Sequence, residues 1–333
     1  MLKSSMDSFV LSSRVRLARN LSGARFISTM KKKEAESILY DVTRMLESEG
    51  FEVVRLADLN DTEIEALKER HLVSTALIRN RAVSALARRR GSDISVMINE
   101  EDHLRIQCIK EGLELSQAYD EVNALDDAIE NTLPSAYDPE FGYLTACPTN
   151  LGTGMRAGVM MFLPGLHLTG GIGELARSGM LSHMTFRGVY GEGSEAEGFF
   201  YQLSNRHTLG ISEQEILQEV KEDIDSIAAR EERAREELYE SETVLLTDKI
   251  YRAWGSLTNS YLMPSKEYFT LLALVKLGVC LGLIKLSEPR TVDRLMIECR
   301  PANLAAGQTL SAEKTDLIRA EKLRTVLTPL KLT

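Results

Sequence analysis

The chain has 333 residues, 44% of them hydrophobic and 27% charged, with a formal net charge of −9. That length accommodates one large domain with a sizeable core plus a smaller companion, and the composition is that of a folded protein rather than a disordered one. The negative balance argues against a general nucleic-acid or anionic-membrane binder, which would carry a positive footprint.

Residues 9–26 alternate arginines with apolar residues after Ser12 and Ser13, which predicts an extended segment. Ile38, Val42, Met45 and Leu46 recur at helical spacing and predict a helix over 33–47. A shorter one over 61–71 has acidic residues near its start. The strand-like runs ISVMI and HLRIQCI, separated by NEED, predict a hairpin over 94–109. If its second strand extends back to Glu101, then Glu101, His103, Arg105 and Gln107 share one face, which reads as a solvated sheet face or as a ligand surface. Ala118, Val122, Leu125 and Ile129 mark another amphipathic helix. A strand YLTAC, the turn PTNLGTG and a helix-like MRAGVMMFL follow. A second hairpin is expected from 184–190 and 199–205 around GEGSEAEG. Ser212 and Glu215 have capping-box spacing and begin a charged helix running to about Tyr239.

The composition turns more apolar after about Val244, so residues 9–243 are read as one domain and 244–333 as a second, mainly helical one. Leu271–Ile284 is too short to span a bilayer, is broken by Lys276, and reads as a core helix pair or a helix and a strand. No secretory signal is visible at the start. Helices beside hairpins, without regular β-α-β alternation, predict an α+β fold with an antiparallel sheet. The four cysteines stand far apart without CxxC spacing, which argues against a disulfide framework or zinc site and fits a reducing cytoplasm. Cys108, Cys280 and Cys299 lie in apolar runs and read as buried small hydrophobes, whereas Cys147 sits among polar and turn-forming residues.

Three features carry chemistry. Arg14, Arg16, Arg105, Arg156 and Arg187 lie beside turn motifs, and guanidinium grips phosphate oxygens in a bidentate fork. The chain has no GxxxxGK[ST] loop and no Gly-rich loop with HRD and DFG elements, so bound ATP would need arginines as its phosphate cradle. The turn Cys147–Arg156 carries Gly152 and Gly154 and, if a helix follows, offers free N–H groups to an anion. Glu101 and Glu192 lie in two hairpin turns and could converge on one substrate.

SSRVRLARN, NEEDHLRIQ, CPTNLGTGMR and RGVYGEGSEAEG, in this order, closely resemble the ATP:guanido phosphotransferases, the phosphagen kinase family. The resemblance runs from about Val10 to about Glu240, and CPTNLGTG is its most specific part. It implies the family's antiparallel sheet flanked by helices. Within the family the chain looks like the bacterial protein-arginine kinases. It enters SSRVR almost at once, without the all-helical domain of the small-substrate enzymes, and Tyr190 stands where those enzymes usually carry another arginine.

The resemblance further implies the site. Ser12, Ser13, Arg14, Val15 and Arg16 would contact the nucleotide, as would Arg105 and His71, the latter at the base. So would Arg156, Ala157, Gly158, Val159 and Met160. Arg187, Gly188, Val189, Tyr190 and Gly191 complete the set. Glu101 and Glu192 match the carboxylates that hold the guanidinium, with Glu101 chosen as base, and Cys147 matches the active-site cysteine. ATP and Mg²⁺ are the implied cofactors, the metal held mainly by phosphates and water rather than by a protein cage. Implied partners are proteins presenting arginine, a zinc-containing activator protein, a Clp-type protease system and a second copy in a homodimer.

The alternatives are a kinase for free arginine or another small guanidino compound, which shares the catalytic set, and a non-catalytic adaptor recognising arginine or phosphoarginine. Thr315–Ala320 is a degenerate form of the branch's RDxxRA phosphoarginine motif and reads equally as a charged terminal helix. The basic run 79–90 reads as a solvated loop or a surface that steers acidic partners.

Overall fold

The computed structural model describes residues 9–177, 183–188, 197–286, 288, 290–327 and 331–332. The strands are β1 (Val10–Arg19), β2 (Glu52–Arg55), β3 (Ala85–Arg88), β4 (Ile94–Ile98), β5 (Leu104–Glu111), the short pair β6 (Tyr137–Asp138) and β7 (Gly142–Tyr143), β8 (Met155–Phe162), β9 (Met184–Gly188) and β10 (Phe200–Asn205). All but the short pair form one antiparallel sheet in the order β2-β3-β4-β5-β1-β8-β10-β9. Between them lie α1 (Lys32–Ser48), α2 (Asp61–Glu69), α3 (Thr75–Arg79), α4 (Leu115–Glu130), α5 (Pro164–Leu168) and α6 (Gly171–Arg177). The sheet is followed by the long α7 (Glu213–Asn259).

Strand alternation gives the sheet two unlike faces. Val15 and Leu17 of β1, Ile106 and Cys108 of β5, and Ala157, Val159 and Met161 of β8 are buried in one core with apolar residues of α1, α4 and the first half of α7. The other face of the same strands carries the arginines.

Both predicted hairpins form, as β4–β5 and β9–β10. The helix expected from residue 155 does not. Met, Ala and Leu favour helix, but that weak preference yields to pairing on both edges, and 155–162 becomes a central strand. The strand expected at YLTAC is reduced to its first residue, Tyr143, paired with Tyr137. Cys280 is half-buried rather than fully buried. The run 79–90 is no simple loop: it ends α3 and forms β3, and Arg81 bonds Asp61 at 2.7 Å and the Leu56 carbonyl at 3.0 Å.

The capping box at Ser212 and Glu215 is present, but the helix it starts continues past Tyr239 to Asn259, with non-helical angles at Glu242. Its first half packs under the sheet, and its second half (Leu246, Ile250, Trp254, Leu257) enters a second core with α8 (Ser265–Cys280), α9 (Thr291–Glu298) and α11 (Ala312–Leu327). A small pair, β11 (Ile284–Lys285) and β12 (Lys331–Leu332), and α10 (Pro301–Ala305) complete this part. Leu271–Ile284 is thus a helix followed by a strand.

Phe162 and Phe200 from the sheet join the second core. Glu69 at the end of α2 accepts from the Ala302 and Asn303 amides at the start of α10, at 3.1 and 2.9 Å. Arg290 donates to the Leu11 carbonyl at 3.0 Å. In the Thr315–Ala320 segment Arg319 is fully buried, and its guanidinium donates to the Cys299 and Met263 carbonyls at 2.7 and 2.6 Å over the ring of Tyr268. Its Nη2 is buried without a hydrogen-bond partner among the described residues.

A buried ion pair locks the end of β1. Arg19 binds Asp126 of α4 through Nε and Nη2 at 2.7–3.1 Å, donates to the Ala18 and Thr153 carbonyls, and lies over Tyr143. Burial raises the Asp126 pKa against the opposing pull of Arg19. Breaking such a pair strands a buried charge, so Arg19→Ala should cost about 3–5 kcal/mol in urea unfolding. A loss under about 1 kcal/mol would mean the pair does not hold this corner.

Candidate active site

Strand register gathers the arginines. Arg16 of β1 stands opposite Gln107 on β5 and Arg156 on β8, Arg14 opposite Ile109 and Gly158, and Ala18 opposite Arg105. Ser12 pairs with Met160, Met160 with Gln202, and Gln202 with Arg187. Directly paired residues share a face, so Arg14, Arg16, Arg105, Arg156 and Arg187 project from the same side of the sheet. Ser12, Gly158 and Met160 share that side. Ser13, Val15, Ala157 and Val159 alternate to the other and are buried, with Ser13 Oγ bonded to the Gly112 carbonyl at 2.7 Å. Of the contiguous residues that the resemblance implies as nucleotide contacts in β1 and β8, every second one has its side chain on this face.

The charges are poorly balanced. Burial and then Arg105 push the Arg14 pKa down to about 9, against Glu100. Burial, Arg14, Arg105 and Arg156 push Arg16 well below the ordinary guanidinium value. Burial, Arg105 and Arg187 lower Arg156, with Cys147 opposing. The buried Nε of Arg16 has no hydrogen-bond partner. Such a cluster fits a polyanion with oxygens to spare, such as the phosphates of ATP.

Glu100, which sequence reasoning missed, is the carboxylate inside the cluster among the described residues. Burial alone would raise its pKa, but Arg105 (2.6 Å), the Ser74 hydroxyl and the Glu101 amide hold it below the usual value. Gln107 was missed as a positioning residue. Its Oε1 accepts from Arg14 Nε at 3.1 Å, and its Nε2 donates to Ser95 and to the His71 carbonyl. The signal was its place two residues from Arg105.

His71 follows α2 in the left-handed region (φ 59°), a conformation histidine tolerates better than most residues. Burial, Arg14 and Arg300 push its pKa down to about 4, so the ring is neutral at physiological pH. It borders both the cavity lined by Arg14, Arg16 and Ser204 and a neighbouring apolar one.

β5 starts at Leu104, so Glu101 and His103 are loop residues rather than part of a strand face. His103 is fully buried: its Nδ1 accepts from the Leu21 amide at 2.9 Å, and its Nε2 lies 2.9 Å from the Arg25 carbonyl. Asp102 accepts from Asn20 and from the Ala146 amide, both at 2.6 Å, tying this loop to the segment that carries Cys147. Asn80 donates to the Asn99 and Glu100 carbonyls. Glu101 alone among the loop's carboxylates is exposed. Burial, then Glu100 and Asp102, raise its pKa against Arg105, which favours a base.

The turn after Cys147 is a single 3-10 turn, Pro148–Asn150, leading into β8, so the anion-binding helix N-terminus expected there is replaced by a strand. Gly152 and Gly154 have positive φ, and a Cβ on Gly154 would meet Arg19 and the Ala18 carbonyl at 2.6 Å. The glycines therefore serve the packing of the turn on the Arg19 corner. Cys147 is half-buried, with Sγ 3.1 Å from Thr149 Oγ1. Arg187 and Gly188 lie at the end of β9. Val189, Tyr190, Gly191 and Glu192 lie outside the described residues.

Because like charges crowd this face, tripolyphosphate should bind it and, at a hundred times its Kd, stabilise the protein by about 2.7 kcal/mol. Arg16→Gln should remove most of that gain while raising the melting temperature of the ligand-free protein. A ligand-free variant less stable than the parent would contradict the electrostatic reading.

Residues 33–234 match the family described as ATP:guanido phosphotransferase, C-terminal catalytic domain, and residues 243–332 match the protein-arginine kinase McsB C-terminal domain. The chain is 40% identical over 326 residues to a protein-arginine kinase of Caldanaerobacter subterraneus subsp. tengcongensis, covering 96% of each. It is 42% identical over 323 residues to one of Geobacillus sp. (strain WCH70), covering 95% of this chain and 89% of the relative. Among solved structures, the duplicated taurocyamine kinase of Schistosoma mansoni with bound transition-state-analogue components aligns at TM-score 0.61 and 25% identity, over 69% of this chain and 34% of that one. Lombricine kinase shares the fold at TM-score 0.60 and 22% identity, over 68% and 67% of the two chains. The chain belongs to the ATP:guanido phosphotransferase family, in its protein-arginine kinase branch.

Proposed function

We propose that the chain transfers the γ-phosphate of ATP to arginine side chains of other proteins, with Glu101 as the base. The observation that carries this reading is one exposed carboxylate of raised pKa at the rim of a face crowded with arginines. The arginines bind and neutralise the triphosphate, and Glu101 meets the incoming guanidinium.

A guanidinium is protonated, with a pKa above about 12, and is a poor nucleophile until a proton leaves. Glu101 takes that proton as the nitrogen forms its bond to the γ-phosphorus. The bond from that phosphorus to the bridging oxygen breaks, and ADP departs with the electron pair. Arg14, Arg16, Arg105, Arg156 and Arg187 stabilise charge spread over the phosphoryl oxygens, in a reaction class governed by positioning and electrostatics. Glu192 and Cys147 orient the guanidinium. Mg²⁺ bound to the nucleotide would supply further charge neutralisation. On this reading the ion is carried by phosphates and water rather than by a protein cage.

On this reading residues 9–243 form the catalytic unit and 244–333 a regulatory or dimerising one. A zinc-containing activator, a Clp-type protease system and a homodimer are partners suggested by the family resemblance. No helix among the described residues is long and apolar enough to cross a membrane. The four cysteines are free, and the cytoplasm is the compartment this reading proposes.

Glu101→Gln should leave ATP affinity within about twofold and lower the rate of phosphoarginine formation by ~10²–10⁴. Activity within about tenfold of the parent would remove Glu101 from the role of base. Because the free-enzyme pKa of Glu101 is raised, the acidic limb of kcat/KM should lie above the ordinary glutamate value of about 4.3, with rate lost as pH falls through it. A limb below that value would contradict the assignment.

A further inference from the structure

We infer that the C-terminal helix α9 forms the outer wall of the pocket that receives the adenine base, so that both parts of the chain bind one nucleotide. The inference rests on the nucleotide reading of the arginine face. Next to that face lies a cavity of about 160 Å³ whose lining includes Leu11, His71, Met160, Phe269, Met296 and Ile297. His71, Ile109 and Met160 also line the cavity that holds Arg14 and Arg16, so the two spaces adjoin. One end is cationic. The other is bounded mainly by aliphatic, thioether and aromatic side chains and by an imidazole kept neutral by its surroundings, with Lys110, Glu111, Arg290, Asp293 and Arg294 also in the lining.

This polarity matches a molecule with a polyanionic tail and a flat, uncharged aromatic head. The polar groups on the C-terminal side of the pocket are already committed: Asp293 to Lys276 at 2.6 Å, and Arg294 to Glu288. What α9 offers the head is therefore apolar surface, from Met296 and Ile297. Met296 is buried in the second core, whereas Ile297 remains 39% exposed, a large aliphatic side chain presented to the pocket. The wall is pinned to the sheet by Arg290, which reaches the Leu11 carbonyl at 3.0 Å and Glu111 at 3.7 Å, on the paired strands β1 and β5. Burying a base against such a surface contributes in proportion to the apolar area removed from water. Movement of the C-terminal helices would then change affinity for ATP without touching the arginines.

The test uses the full chain and calorimetric titration with Mg-ATP and, separately, Mg-tripolyphosphate, which has the tail without the base. Ile297→Asp should weaken ATP binding on the order of tenfold, leave tripolyphosphate binding as in the parent, and keep the parent's melting temperature. Ile297→Gln, which adds no charge, should weaken ATP in the same direction. Unchanged ATP affinity in both variants overturns the wall and leaves the nucleotide site standing. An equal loss of ATP and tripolyphosphate affinity also overturns it, because the effect would not act through the base. A parent protein that binds neither ligand overturns the nucleotide reading and the wall together.

Discussion

Like charges repel, and strand register forces several of the arginines on this sheet face into each other's fields. Arg16 has Arg156 opposite it on one neighbouring strand and Gln107 on the other, and it feels Arg14 and Arg105 besides. Glu100 is the carboxylate set against them. The chain cannot relieve the crowding by a one-residue slip, because a slip would turn Val15, Leu17, Ala157 and Val159 out of the core and the arginines into it. The apolar face thus fixes an arrangement that the polar face alone would not adopt. This is the familiar trade in which a binding site is held in an unfavourable state by the stability of its surroundings.

The same logic places the proposed base. Glu101 sits in a loop whose other side chains are committed: Asn99 to the Ala35 and Val83 carbonyls, Glu100 to Arg105, Asp102 to Asn20 and Ala146, and His103 to Leu21 and Arg25. With those contacts satisfied, Glu101 is left at the rim, and partial burial, followed by the two neighbouring carboxylates, raises its proton affinity. Asp102 also joins this loop to the one carrying Cys147, while Arg19 joins the glycine turn to α4. The parts proposed to meet a guanidinium are therefore linked through buried and part-buried hydrogen bonds rather than left on independent loops.

Much of this was legible in the sequence because its signals are local or chemical. The alternation in β1, the apolar runs of β4 and β5, and the capping box at Ser212 each follow from spacing. The arginines were singled out by residue type together with family resemblance. What could not be read depends on tertiary pairing. MRAGVMMF is a good helix composition that becomes a strand only because β1 and β10 flank it. Nor could spacing show that His103 is a buried structural residue while Gln107 orients Arg14, since both stand at even distances from Arg105. Arg319 looked like part of a phosphate-binding motif, and its commitment to two carbonyls comes from the packing of α11 against residues far away in the chain.

The central claim is that the arginine face and Glu101 act on guanidinium groups carried by proteins. The most direct measurement incubates the purified chain with Mg-ATP and a mixed protein substrate, and in parallel with free arginine. Acid-labile phosphate is then located by mass spectrometry at neutral pH. The account predicts phosphoarginine within the proteins and little on the free amino acid. Product confined to free arginine would contradict it.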